Sequence, residues 1–209
     1  MGDPIPRSFY ERSAVALARD LLGARLVRKF QGERLAGTIL EAEAYQGEED
    51  LACHARAGLT PRTKVMYGPA GHAYVYFTYG VHWMLNVVTE RAGMPAAVLI
   101  RAIQPAEGIA AIQRLRPSPA PRRGSPPGPD GLPSLLGWTD GPARLCQALA
   151  ITGELNGADL CDPRGELWIE PGAGLPDERV AAGPRVGIQN VPEPWRSLPW
   201  RFKAWGNPS

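Results

Sequence analysis

Two pairs of β-compatible runs, each joined by a turn too short to hold a helix, constrain this chain more than any other feature. Residues 24–30 and 35–45 flank a turn at 31–33, with Leu26, Val27, Leu35, Ile39 and Leu40 at apolar strand positions. Residues 72–89 read as a second pair, turning near Gly80. Runs this close in sequence pair antiparallel, because a parallel partner needs a crossover of a dozen residues or more. Residues 97–103 add a strand and 167–170 a short one. Helices fit around them. Ser13 stands where an N-cap belongs, Val15, Ala18, Leu21 and Leu22 follow at helical spacing, and Gly23 ends the run. Pro105 reads as the first residue of a helix reaching about Arg116, and Gly141-Pro142 lead another through Ile151. The expected fold is α+β: a single domain over residues 1–209 with a curved, largely antiparallel sheet, surrounding helices and a protruding β-hairpin.

One stretch resists any element. Residues 117–133, PSPAPRRGSPPGPDGLP, hold too many prolines and glycines for a helix or a central strand, so a Pro/Gly-rich loop or disordered insertion is expected. No stretch approaches the ~20 apolar residues of a bilayer helix, and the first residues lack a basic and then apolar secretory leader. These features predict an intracellular protein that is not associated with a membrane. Cys53, Cys146 and Cys161 are odd in number and form no CxxC pair, so reduced, structural thiols are expected. The formal charge of +2 is a weak argument for a polyanionic partner. Only Lys29, Lys64 and Lys203 are lysines, so arginine carries the positive charge; phosphate recognition and an arginine-rich codon bias both account for that. There is no GxGxxG after a strand and no GxxxxGK[ST], which argues against those nucleotide-phosphate loops. Neither a heptad nor an exposed apolar stripe is visible, so a monomer is expected.

The segment TILEAEAY, residues 38–45, carries the clearest chemical signal. Strand alternation puts Leu40, Ala42 and Ala44 on one face and Glu41, Glu43 and Tyr45 on the other. On a solvated face two glutamates need no explanation; in a cleft, a second carboxylate and partial burial raise the pKa of one and prepare a general acid or base. The irregular loop at 47–69 carries His54, Arg56, Arg62 and Lys64. His54 alone reads more readily as a hydrogen-bonded structural histidine than as a functional one. A metal site built from it with Glu48, Glu49 and Asp50 matches no zinc or EF-hand spacing, so no metal is expected, and no cofactor is called for elsewhere in the chain. Residues 73–86 gather Tyr74, Tyr76, Phe77, Tyr79, His82 and Trp83 around a turn. Such aromatics are ordinarily core, yet Tyr79-Gly80 falls at the hairpin tip, where burial is hardest, and an exposed aromatic beside arginine-bearing loops fits a wedge that unstacks DNA.

Taken in order, the blocks EAEAYQGEEDLACHA, YVYFTYGVHWMLN, VLIRAIQP, GPARLCQALAI and RVGI resemble the alkyladenine, or 3-methyladenine, DNA glycosylases of the mammalian-type fold, over about residues 9–205. The resemblance implies a monofunctional base-excision enzyme that rotates a damaged purine out of double-stranded DNA and hydrolyses its N-glycosidic bond with water, without metal or a covalent lysine intermediate. It implies Glu43 as general base, with Arg101 and the backbone carbonyl of Val186 helping to hold the attacking water. Tyr45, His54 and Tyr76 would wall the base pocket, the His54 amide would donate to the edge of the flipped base, Asn86 would exclude guanine, and Tyr79 would be the wedge. Val81 and His82 vary in that family. Arg56, Arg62, Lys64 and Arg144 are candidate phosphate contacts on charge and loop position alone. Glu41 shares the Glu43 face and is the rival base. Two other classes of function are open at this point: a catalytically silent nucleic-acid-binding domain of the same fold, and a metal-dependent nuclease using Glu41, Glu43 and Asp50.

Overall fold

The computed structural model describes residues 2–116 and 136–204; the run expected to be a loop or insertion at 117–133 lies outside them. Among the described residues the sheet has eight strands, all paired antiparallel. β1 (Arg25–Phe30), β2 (Glu33–Gln46), β3 (Ala73–Thr78), β4 (His82–Val88), β5 (Ala96–Glu107) and β6 (Leu167–Glu170) stand in the order β3-β4-β5-β2-β1-β6. β7 (Val180–Gly183) pairs with β8 (Arg201–Ala204), which also pairs with β2. The long β2 therefore organises the sheet. One of its edges runs along β5; the other belongs first to β1, from Phe30↔Glu33 to Arg25↔Thr38, and then to β8, at Glu41↔Lys203 to Glu43↔Arg201.

Both hairpins form where the short turns place them. The helix expected after Ser13 is α2 (Ala14–Asp20), and the Ser13 hydroxyl accepts the Ala16 amide at 3.2 Å. A four-residue helix, α1 (Arg7–Tyr10), precedes it. Leu17, Ala18, Leu21 and Leu22 are fully buried in one core with Ile39, Ala42, Ala44, Val98 and Ile100 of the sheet. Burial stabilises by about 1.5–3 kcal/mol for each large aliphatic side chain, so α2 is held by its apolar face. No helix among the described residues is long and apolar enough to cross a membrane.

Three local expectations are corrected. Pro105 does not open a helix: it lies in β5 opposite Gly37, beside a break in the β2–β5 register. Proline cannot donate to a ladder and is tolerated at such irregularities. The helix, α3 (Ile109–Leu115), begins only after Gly108, whose φ of 69° is left-handed and whose Cβ would meet the Arg34 carbonyl at 2.7 Å. Leu40 does not share the face of Ala42. The register slips between Ile39↔Ile103 and Glu41↔Ala102, so Leu40 is the extra residue of a bulge and Ile39 takes the core position. A short helix α4 (Leu136–Thr139) comes next, and α5 (Pro142–Ala148) stops three residues short of Ile151. Ala150 is left-handed at φ 49°, its amide bonds Gln147 O at 3.2 Å, and the Ile151 amide bonds Cys146 O at 2.8 Å. That is a Schellman ending built without the glycine that would have announced it.

Candidate active site

β2, β5, the β3–β4 hairpin and two loops enclose a cavity of about 360 Å³. Tyr45, His54, Tyr74, Tyr76, Asn86 and Arg101 are on its wall, together with Val186 and the hairpin-tip residue Tyr79. The bulge at Leu40 leaves Glu41, Glu43 and Tyr45 on one face, where Arg101 reaches across from β5. Its Nε donates to Glu41 Oε1 at 2.7 Å and its Nη1 to Glu43 Oε2 at 3.2 Å. Arg201 of β8 lies 3.6 Å from the same Glu41 oxygen.

Glu43 has no exposed surface, and it lies just behind the wall rather than on it. Its Oε2 also accepts the Tyr45 hydroxyl at 3.0 Å, and its Oε1 accepts the Val186 amide at 2.7 Å. Three donors occupy three of the four or so acceptor positions of a carboxylate, which leaves one on Oε1. Burial drives the Glu43 pKa above the ordinary carboxylate range and Glu41 adds to the rise; Arg101, the Val186 amide and the Tyr45 hydroxyl oppose it. A carboxylate raised in this way is a better proton acceptor than an exposed one. At Val186, the contact that forms is the amide on Glu43.

The aromatic side is equally ordered. The His54 and Tyr76 rings meet edge to face with centroids 4.5 Å apart, and Tyr74 packs on Tyr76 at 5.4 Å. His54 Nδ1 lies 3.0 Å from the Tyr74 hydroxyl. Burial, reinforced by the nearby charges of Arg62 and Arg56, pushes the His54 pKa down to about 4, so the imidazole is neutral at physiological pH. Asn86 is buried, and its amide donates to the Tyr74 carbonyl at 3.1 Å.

Tyr79 is 86% exposed with φ at 51°, and Gly80 follows at φ 67°. Consecutive left-handed residues, closed by the Val81 amide on Thr78 O at 3.1 Å, are the geometry a tight hairpin turn requires. A tyrosine there gives up about 1–2 kcal/mol relative to right-handed backbone and buries almost nothing in return.

The basic candidates divide. Arg56 and Lys64 are exposed, and Arg56 donates to Leu51 O at 2.9 Å. Arg62 lies over the Tyr76 ring at 5.2 Å. Arg144 is paired with Asp140 at 2.5 Å.

Sequence reasoning gave no role to Arg185 and treated Asp50 only as a metal ligand or nuclease acid. The two form a fully buried, two-pronged ion pair, Nη1 to Oδ2 at 2.5 Å and Nη2 to Oδ1 at 2.9 Å. Arg185 also donates to Ala44 O and Trp195 O, and lies against the rings of Tyr45 and Trp200. Asp50 accepts the amides of Gln46 and Ala52. The available signal was the RVGI block itself.

Comparison with known proteins matches residues 8–208 to the family model described as methylpurine-DNA glycosylase. A protein of Myxococcus xanthus is 47% identical over 198 residues, 95% of this chain and 88% of its own length. One from Methanocella arvoryzae is 44% identical over 98% of this chain and 94% of its own, and one from Carboxydothermus hydrogenoformans 44% over 97% and 96%. All three carry the name "Putative 3-methyladenine DNA glycosylase".

Proposed function

Because the chain belongs to the methylpurine-DNA glycosylase family, and is therefore a DNA glycosylase, we propose that it removes damaged purines by activating water at Glu43. The observation that carries this reading is the placement of one buried, triply bonded carboxylate directly behind an aromatic-lined cavity, beside a hairpin whose tip holds an exposed tyrosine. Flipping is needed because the bond to be cut is inaccessible in stacked DNA. Tyr79 enters the duplex and fills the gap, and the extruded nucleotide takes the cavity. As the glycosidic bond lengthens, the sugar becomes oxocarbenium-like and the base departs with the bonding electrons, neutral if it was cationic and otherwise as an anion that takes a proton from solvent water. Water on the remaining Oε1 position of Glu43 adds to C1′ and its proton passes to the carboxylate. The products are an abasic site and the free base. General-base assistance of this kind contributes roughly 10²- to 10⁴-fold, and the negative carboxylate stabilises the cationic sugar.

The walls suit electron-poor purines. A cationic alkylated base gains about 0.5–2 kcal/mol from aromatic faces over a neutral one, and the neutral His54 adds no charge to repel it. Hypoxanthine and ethenoadenine, which are neutral, are selected by shape and hydrogen bonds, with Asn86 crowding the exocyclic amino group of guanine. Arg56, Arg62 and Lys64 meet phosphates on either side of the flipped nucleotide. Arg144 joins them only by leaving Asp140. The enzyme acts as a monomer on duplex DNA.

The test is base release from duplexes carrying ethenoadenine, hypoxanthine or 3-methyladenine with EDTA present, read as abasic sites. Release in EDTA is expected. Binding without release from any duplex would leave a DNA-recognition domain, and release abolished by EDTA would favour a metal-dependent reaction.

A further inference from the structure

We infer that the buried Asp50–Arg185 pair is a positioning device for catalysis, clamping the Val186 amide onto Glu43 and so setting the aim of the base. This rests on the role proposed above for Glu43. Two loops line the cavity. One runs on from β2 through Asp50 to His54; the other carries Arg185, Val186, Gly187 and Ile188. Neither loop is held to the other by a strand ladder. The pair is the cross-link. Arg185 bonds Asp50 twice and, at 3.0 Å, the carbonyl of Ala44, the residue between Glu43 and Tyr45. The residue after Arg185 donates its amide to Glu43 at 2.7 Å, although the Val186 side chain is itself exposed. On the other loop, Asp50 bonds the Ala52 amide by its side chain and the Cys53 amide by its carbonyl, immediately before His54.

A fully buried ion pair is weak evidence for stability, because desolvating two charges offsets most of their attraction. A planar, two-pronged pair between aromatic rings fixes geometry instead. The rings here are Tyr45, which itself bonds Glu43, and Trp200, whose carbonyl accepts the Ala44 amide. One pair thus holds two of the three donors on the base. Losing alignment of the Val186 amide removes a group that favours the ionised carboxylate, so the Glu43 carboxyl would need a higher pH to ionise. Among the other groups facing Glu43, Tyr45 of β2 also favours the ionised form and lies against Arg185, so its loosening acts in the same direction; Glu41 of β2, Arg101 of β5, Arg201 of β8 and Tyr76 of β3 are held by the sheet.

The experiment is single-turnover base release against pH from an ethenoadenine duplex, comparing the wild type, Glu43→Gln and the double variant Asp50→Asn/Arg185→Met. The double variant leaves no uncompensated buried charge. It should be slower on the order of 10- to 100-fold, with its acid limb displaced to higher pH. A merely structural pair would lower the folded fraction, followed by circular dichroism, and leave the limb of the folded molecules in place; that result overturns the inference. Hydrogen exchange of the Val186 amide in the wild type gives a second reading that needs no variant. Exchange only on global unfolding is expected, and exchange at the rate of an open loop overturns the clamp. If Glu43→Gln is as fast as the wild type, the Glu43 reading fails and takes this inference with it. If Glu43→Gln is slow while the double variant keeps the wild-type limb, only the inference fails.

Discussion

The carboxylate behind the cavity and the tip of the β3–β4 hairpin lie close together and are built on opposite principles. Glu43 is wholly buried and holds three hydrogen bonds, from β2, from β5 and from the Arg185–Ile188 side of the cavity. Tyr79 is 86% exposed, has left-handed backbone and packs against almost nothing. A group that must receive a proton in one orientation is best preorganised by fixed dipoles. A side chain that must enter a stack of bases has to be kept out of the protein's own core, and the cost appears as backbone strain. On the proposed reading, one region would work through a carboxylate fixed by three hydrogen bonds, the other through a side chain left without packing.

The comparison fails if the two regions respond alike to substitution. The largest effect belongs to Glu43→Gln, which should cut single-turnover base release by at least ~100-fold while leaving DNA binding by fluorescence anisotropy nearly intact. A smaller loss, with a larger one in Glu41→Gln, would move the base to Glu41. Tyr45→Phe keeps the ring and removes one donor; a hydrogen bond to a charged group is worth about 1.5–3 kcal/mol, so release at neutral pH should fall about 10- to 100-fold. Its acid limb should move to higher pH, because the Tyr45 hydroxyl holds the Glu43 pKa down. An unmoved limb would make Tyr45 a wall only. Asn86→Ser should relax the rejection of guanine by about 10-fold or more, the scale of a single steric contact, read as excision of undamaged guanine against ethenoadenine. Unchanged discrimination removes Asn86 from that role. The smallest effect sharpens the contrast most. Tyr79→Gly should relieve the strained turn and stabilise the protein by about 1 kcal/mol, a rise of about 2–4 °C in Tm. The same substitution should weaken retention of the flipped base reported by base-analogue fluorescence. Loss of both stability and flipping would mean that Tyr79 is an ordinary structural aromatic.

What the sequence revealed follows the range of the interactions. The two hairpins, the Ser13 cap and the shared face of Glu41, Glu43 and Tyr45 are local, and periodicity with turn length exposes them. The bulge at Leu40 and the strand position of Pro105 are set by the partner strand β5, so single-strand alternation and proline preference both misread them. β7 and β8 are four residues each and exist through backbone pairing to each other and to β2, with no strong pattern of their own. Asp50 and Arg185 are 135 residues apart. Nothing local in an acid-rich loop marks one carboxylate as the partner of a distant arginine, and the pair becomes visible only when β2 and the Arg185 loop are seen together. His54 read alone as a structural histidine, and the structure gives it a hydrogen-bonded Tyr74 and a place on the cavity wall at once.

The most direct test of the account is the pH dependence of single-turnover base release by the wild type, set beside that of Glu43→Gln. With Glu43 as the proposed base the reaction needs its ionised carboxylate, so release should be full above the pKa of folded Glu43 and fall as pH drops through it. Burial raises that pKa, so the fall should begin above the ordinary carboxylate range, and Glu43→Gln should be slow with no such limb. A wild-type rate that is flat through this range, or a limb that Glu43→Gln retains, would contradict Glu43 as the group that activates water.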